Sequence, residues 1–304
     1  MPSNQSPLGA LPARFRRERL LVVGCGDVGL RVVRALSAGL AVFALTSSAE
    51  RIATLRKSGV TPILGNLDQP ASLRRLAGLA TRVLYLAPPP SEGWCDPRTA
   101  ALTAALRLRS VPASMVYGST SGVYGDCKGE VAVETRPVNA HTPRAIRRTD
   151  SERRVRFFGR ATGVRCSILR IPGIYAPDRE GGTPRARLLK GTPVLTAADD
   201  VFTNHIHAND LARACIRATW FGKPQRVYNI NDDTHLLMGD YFDLAADIYG
   251  LNHPPRVPRG VAQDQLPLML LSFMGESRRM QNGRMKRELK LQLAYPTVAQ
   301  GLRG

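Results

Sequence analysis

Residues Arg19–Gly29 read RLLVVGCGDVG, a short apolar run rich in Val and Leu that ends in Gly24, Gly26 and Gly29. Val28, Val32, Val33 and Leu36 then recur at helical spacing, so a buried strand turns sharply into a helix. That is the context in which a G-x-G-x-x-G motif carries meaning. Gly24 permits the tight turn, Gly26 lets the backbone approach a pyrophosphate, and Gly29 lets helix and strand pack closely. Asp27 and Val28 open the helix whose amino terminus would hold the phosphate.

Working outward, the next strand, LAVFALTSS, ends at Thr46, Ser47 and Ser48 where a carboxylate would hold the ribose hydroxyls of NAD. Small hydroxyls with Arg51 nearby suit a 2′-phosphate, so NADP is expected over NAD; the alternative is that Arg51 only begins the next helix and faces solvent. A third strand in VTPILGNLD brings Asp68 to a position suited to an adenine contact. A fourth, RVLYLAPPP, ends in Leu86, Ala87 and Pro88, and its prolines must leave the sheet because they lack the ladder donor. Further strands in SMVYGSTSGVYGD, VRCSILRIPGIYAP and RVYNINDD alternate with helical segments. The expected fold is α/β: a Rossmann-type doubly wound parallel sheet with a smaller C-terminal substrate domain.

Composition sets the bounds. The chain has 304 residues, 43% of them hydrophobic, enough for a sizeable core. No stretch approaches the ~20 apolar residues of a membrane-spanning helix. Five widely spaced cysteines without a C-x-x-C pair suggest buried, inert thiols in a reducing cytoplasm, and no metal site. The formal charge of +19 raises nucleic acid as a partner, but the basic residues are spread along the chain and are not interleaved with aromatics, which makes that partner unlikely.

GCGDVG near the start, GSTSGVYGD in the middle, then LRIPGIYAPDR and NHIHANDLARA, resemble in order and spacing the short-chain dehydrogenase/reductase superfamily. Within it the chain is most similar to an atypical subgroup of the extended, epimerase/dehydratase-like branch, over about residues 19 to 300. The resemblance implies a dinucleotide-binding region over 19–178, completed by about 201–230. It also implies a small substrate region over 179–200 and 231–304. It further implies a small, sugar-nucleotide-like substrate and a homodimer. The preceding residues 1–18, proline-containing and basic at their end, read as a disordered tail.

In that branch a Ser or Thr, a Tyr and a Lys carry the chemistry, the Tyr as general acid or base. Thr120 occupies the Ser/Thr position, and Pro172 follows the strand that flanks the cofactor. The Tyr-x-x-x-Lys pair should fall within PVNAHTPRAIRRTDSE, Pro137–Glu152, where Glu152 fits the acidic position that follows it. Residues 144 and 148 are both arginine. A guanidinium cannot give up a proton near neutrality, whereas Arg148 can still hold a ribose or phosphate oxygen. His141, Tyr124 and Tyr175 are the candidate substitutes for the acid/base group, against structural readings of each. The expectation is an oxidoreductase or epimerase with a substituted acid/base; the alternative is a dinucleotide-binding sensor or scaffold without turnover.

Arg185 and Arg187 fall in a basic, loop-rich stretch that reads as a lid. His205 and His207 alternate on a strand that leads into a helix expected to be capped by Asn209 or Asp210. Arg278, Arg279, Arg284 and Lys286 suit either an anionic substrate or a solvated basic face, the second being expected for most of them.

Overall fold

The structure, a computed structural model, describes residues 17–36 and 39–303. Most of the expected tail therefore lies outside the described residues.

Seven parallel strands form the central sheet: β1 (Arg19–Val23), β2 (Ala41–Thr46), β3 (Thr61–Leu64), β4 (Arg82–Tyr85), β5 (Ser114–Thr120), β6 (Arg165–Ile171) and β7 (Arg226–Asn229). Their spatial order is β7-β6-β5-β4-β1-β2-β3, which reverses between β1 and β4. Side chains alternate across a strand, so a sheet covered on both faces must bury both sets. Along β1, Leu20 and Val22 pack with Leu84, Val116, Leu169 and Leu211 on one face. Leu21 and Val23 pack with Val83, Met115, Leu73 and Phe158 on the other. This double burial is why β1 reads as a continuous apolar run.

The flanking helices are α1 (Asp27–Ala35), α2 (Arg51–Lys57), α3 (Pro97–Leu106), α4 (Pro143–Thr162) and α5 (Ala208–Phe221). α4 starts at Thr142, whose hydroxyl accepts from Ala145 N at 3.3 Å, with Pro143 in the first turn, and ends at Gly163 in the left-handed conformation. It is tied to α3 through Asp96, which caps α3 and accepts from Ser151 Oγ at 2.6 Å.

A third apolar cluster lies beyond the sheet, around Leu188, Val194, Met238, Phe242, Leu266 and Val298. It packs α6 (Met238–Tyr249) and the closing helix Val298–Arg303, and forms the smaller C-terminal part of the Rossmann-type α/β fold.

Three expectations are corrected. α5 is capped by neither Asn209 nor Asp210 but by His207, whose Nδ1 accepts from Asn209 N at 3.2 Å. An imidazole can cap once its other face is held, and His207 lies 3.7 Å, centroid to centroid, from Tyr295. The cysteines are not all buried: Cys95 is exposed on the loop before α3. Arg278 is no solvated residue; it is buried, and donates to Ser121 O at 3.0 Å and to Glu276. No described helix is long and apolar enough to cross a membrane.

Candidate active site

The order reversal between β1 and β4 leaves a crevice at the carboxyl ends of the strands, where open α/β sheets bind ligands. Gly24 has φ +88, and a Cβ there would lie 2.3 Å from Ala87 N, so only glycine lets the loop after β1 close against the end of β4. Gly26 meets nothing within 4 Å. No side chain caps α1, so its first-turn amides face the crevice without a side-chain acceptor. A pyrophosphate fits this cradle: glycine backbone on one side and a helix amino terminus on the other.

The crevice encloses about 260 Å³ and is lined by the glycine loop (Gly24, Gly26, Asp27, Val28, Gly29), Leu86, Thr120, Arg144, Arg148 and Pro172, among others. Asp27 does not stand alone there. Arg31 donates to its Oδ1 at 3.0 Å, and Arg179 Nε lies 3.5 Å from its Oδ2.

At the end of β2, Thr46 is buried and its hydroxyl is used in a local turn with Ser48, while Ser47 is exposed. Arg51 turns back onto the glycine loop, Nη2 donating to Cys25 O at 2.6 Å, so it is not merely a solvated first residue of α2. Asp68 is exposed, and both its oxygens accept from Arg98, at 2.7 and 2.6 Å; the same arginine donates to Pro88 O at 3.2 Å. Those hydrogen bonds lower the Asp68 pKa and occupy its carboxylate.

Arg148 donates to Tyr117 Oη at 3.0 Å and to Gly118 O at 2.7 Å, spanning the end of β5. Arg144, one turn earlier on α4, lines the crevice; partial burial of its guanidinium first, then the like charge of Arg148, lowers its pKa. No tyrosine or lysine is among the described residues lining the crevice.

A second cavity of about 490 Å³ adjoins the crevice and shares Thr120, Arg144, Pro172, Ile174 and Arg179 with it. Its other walls include Arg187, His205, Tyr241, Phe242, Glu276 and Arg278. His205 is buried with its ring stacked on Tyr241, centroids 4.0 Å apart, and burial pushes its pKa down to about 3. It is neutral there. Glu276 is the one carboxylate among the described residues lining this cavity. Desolvation raises its pKa against the opposing charge of Arg278.

The other sequence candidates lie elsewhere. His141 is exposed on the loop before α4 and lines neither cavity. Tyr124 is buried away from both cavities, donating to Asn229 Oδ1 at 2.7 Å beneath the Arg170 guanidinium. Tyr175 lines the second cavity, but its hydroxyl donates to Thr297 O at 3.3 Å and its pKa is raised, chiefly by desolvation. Glu276 went unnoticed in the sequence: it sits far along the chain from Thr120 and belongs to no motif.

Comparison with known proteins agrees with this geometry. No curated protein matches the chain. A conserved protein of unknown function from Silicibacter pomeroyi DSS is 27% identical, at TM-score 0.76 over 94% of this chain and 97% of that one. UDP-glucose 4-epimerase from Thermotoga maritima, solved with UDP-glucose, is 19% identical at TM-score 0.76, covering 94% and 96%. UDP-glucose 4-epimerase from Thermus thermophilus, solved with NAD, is 22% identical at TM-score 0.73, covering 94% and 96%. The likeness to the two epimerases is one of fold. The model of the NAD dependent epimerase/dehydratase family matches residues 20–231. With seven parallel strands in Rossmann order and a glycine loop at the switch point, the chain belongs to the NAD dependent epimerase/dehydratase family, as an atypical member of the extended short-chain dehydrogenase/reductases.

Proposed function

We propose that the chain is a nicotinamide-dinucleotide-dependent oxidoreductase or epimerase acting on a small, sugar-nucleotide-like substrate without a Tyr-x-x-x-Lys pair. One observation carries this reading. Thr120 and Arg144 belong to both the glycine-loop crevice and the larger cavity, so a cofactor in one and a substrate in the other meet at those side chains.

A nicotinamide bound in the crevice supplies the acceptor or donor of the hydride. The protein's part is to place and neutralise. Gly24, Gly26 and the amino terminus of α1 receive the pyrophosphate, with Asp27, Val28 and Gly29 in the first turn. Leu86, Ala87, Pro88 and Pro172 wall the dinucleotide, and Asp68 with Arg98 borders its adenine end. Ser47 and Arg51, at the end of β2, favour a 2′-phosphate, so NADP is the preferred cofactor.

Arg148 holds a ribose hydroxyl, and Thr120 orients the substrate oxygen. Arg144 stabilises negative charge on that oxygen but cannot exchange its proton near neutrality. Proton transfer then falls to Glu276. When the substrate hydroxyl is oxidised, its O–H proton passes to a Glu276 carboxylate oxygen as the carbonyl forms; in reduction the protonated carboxyl returns it.

The second reading, a dinucleotide-binding sensor without turnover, is favoured by the absence of tyrosine and lysine among the described crevice residues. Following NADPH oxidation against carbonyl substrates, and UDP-sugar interconversion, separates the two. Turnover lost in Glu276→Gln with NADPH affinity unchanged supports the enzyme and this assignment. Turnover indifferent to Glu276→Gln rejects the proton role. NADPH binding with no turnover on any of these substrates favours the sensor.

A further inference from the structure

A separate cleft of about 630 Å³ lies between α4, β6, β7 and residues 134–138, and no described residue lines both it and either cavity above. Six arginines line it, Arg136, Arg153, Arg156, Arg170, Arg226 and Arg284, against two carboxylates, Glu134 and Glu152. Both carboxylates are buried and already engaged. Glu152 accepts from Arg170 and Ser119, and Glu134 accepts from Asn229 N at 3.2 Å with Arg284 Nε 3.7 Å away. Arg136 and Arg226 pair with Glu130 and Glu288, which lie outside the cleft lining.

Arg153 and Arg156 differ from these four: neither forms a hydrogen bond or ion pair with a described residue. Arg154, between them on α4, lies outside the cleft lining and donates from Nε to Asp150 Oδ2 at 2.7 Å. Arg156 is half-buried, but its unpaired nitrogens keep accessible surface, so they are open to the cleft they line. Desolvation lowers its pKa, Glu152 opposes the shift, and the like charges of Arg170 and Arg160 add to it. Arg153 stands three residues away on the same helix face, where like charges repel. The protein's own carboxylates leave this local excess of positive charge uncompensated, and an anion in the cleft would neutralise it.

We propose that the cleft is a second binding site, for a small multivalent oxyanion held by Arg156 and Arg153, with the more exposed Arg136 and Arg226 at its rim. No aromatic side chain is among the described residues lining it, so it lacks the stacking platforms of single-stranded nucleic-acid sites. It suits instead a compact ligand, an oligophosphate or a polycarboxylate, gripped by guanidinium groups.

The test is calorimetric titration of the full chain with tripolyphosphate and with citrate, each with and without saturating NADPH, in the wild type, Arg156→Gln, Arg153→Gln and Arg154→Gln. The wild type is expected to bind at least one of the two anions with Kd below about 1 mM. Arg156→Gln should weaken that binding about tenfold, and the more exposed Arg153→Gln about threefold. Arg154→Gln removes the same charge from the same helix outside the cleft and should leave the affinity within about twofold. The anion should raise the unfolding temperature of the wild type, and raise that of Arg156→Gln less. Tighter binding of tripolyphosphate supports the site and identifies a phosphate ligand; tighter binding of citrate supports it and identifies a polycarboxylate.

A wild type that binds neither anion, or an Arg156→Gln that binds as the wild type does, overturns the proposal. So does an equal loss in Arg154→Gln, which would mean general charge attraction instead of a site. Should Arg156→Gln not fold, wild-type affinity in Arg153→Gln overturns it equally. A short oligothymidylate that binds more tightly than either anion, and loses that affinity in Arg156→Gln, overturns the small ligand in favour of nucleic acid. If NADPH fails to bind the wild type, the functional reading falls, while the titrations without NADPH still decide the anion site.

Discussion

Arg170 Nη2 lies 2.8 Å from Glu152 Oε2, with the side chains only 3% and 4% exposed, and Ser119 Oγ donates to Glu152 Oε1 at 2.7 Å. The pair joins the middle of α4 to β6 and β5, and so fixes the face of α4 that carries Arg144 and Arg148 toward the crevice. Breaking one side of a buried pair leaves an uncompensated charge. Glu152→Ala should therefore cost about 3–5 kcal/mol in denaturant unfolding. Replacing both residues by methionine should cost less than the single change. A single and a double variant of equal stability would show that the pair does not hold α4.

Arg51 is expected to set the cofactor preference. Arg51→Ser should weaken NADPH binding by about 1–2 kcal/mol, the scale of one exposed charged contact, and leave NADH nearly unchanged. Equal losses for both cofactors would mean that its bond to Cys25 O supports the glycine loop and does not contact a 2′-phosphate.

Gly24 and Gly26 should separate stability from binding. Gly24→Ala places a Cβ against Ala87 backbone at positive φ and should destabilise the fold by several kcal/mol, on the order of 3. At Gly26 a Cβ meets no protein atom, so Gly26→Ala should keep its unfolding midpoint and lose NADPH affinity. Thermal unfolding and cofactor titration of the two variants read the difference.

His205 predicts a pH dependence of stability. Its pKa is about 3 in the fold against 6.5 for an ordinary histidine, so the unfolded chain takes up the proton first as pH falls. The stability it contributes is fully present above about 6.5 and is lost as pH drops toward 3. Between pH 7.5 and 5 the wild type should lose about 1–2 kcal/mol more than His205→Gln in urea unfolding. Parallel losses would place the acid sensitivity in other groups.

The sheet was legible because its central strands β1 and β4 are apolar runs followed by glycine or proline, and burial on both faces leaves them without polar alternation. The glycine loop was legible for the same reason, since Gly24 answers a local backbone demand. Glu276 and the His207 cap were not. Glu276 takes its meaning from cavity walls far away in sequence, and His207 caps α5 with a ring held against Tyr295, so neither leaves a local pattern. Arg51 lay between these cases: its position was readable, but its bond to Cys25 O depends on the close approach of α2 to the glycine loop.

The central claim is that the crevice beneath Gly24 and Gly26 binds a nicotinamide dinucleotide next to Arg144 and Arg148. Calorimetric titration of the wild type and Arg148→Ala with NADPH and NADH tests it most directly. The account predicts saturable one-to-one binding, tighter for NADPH, and weakened in Arg148→Ala by about tenfold, the scale of a charged hydrogen bond. No binding of either dinucleotide to the wild type would contradict it.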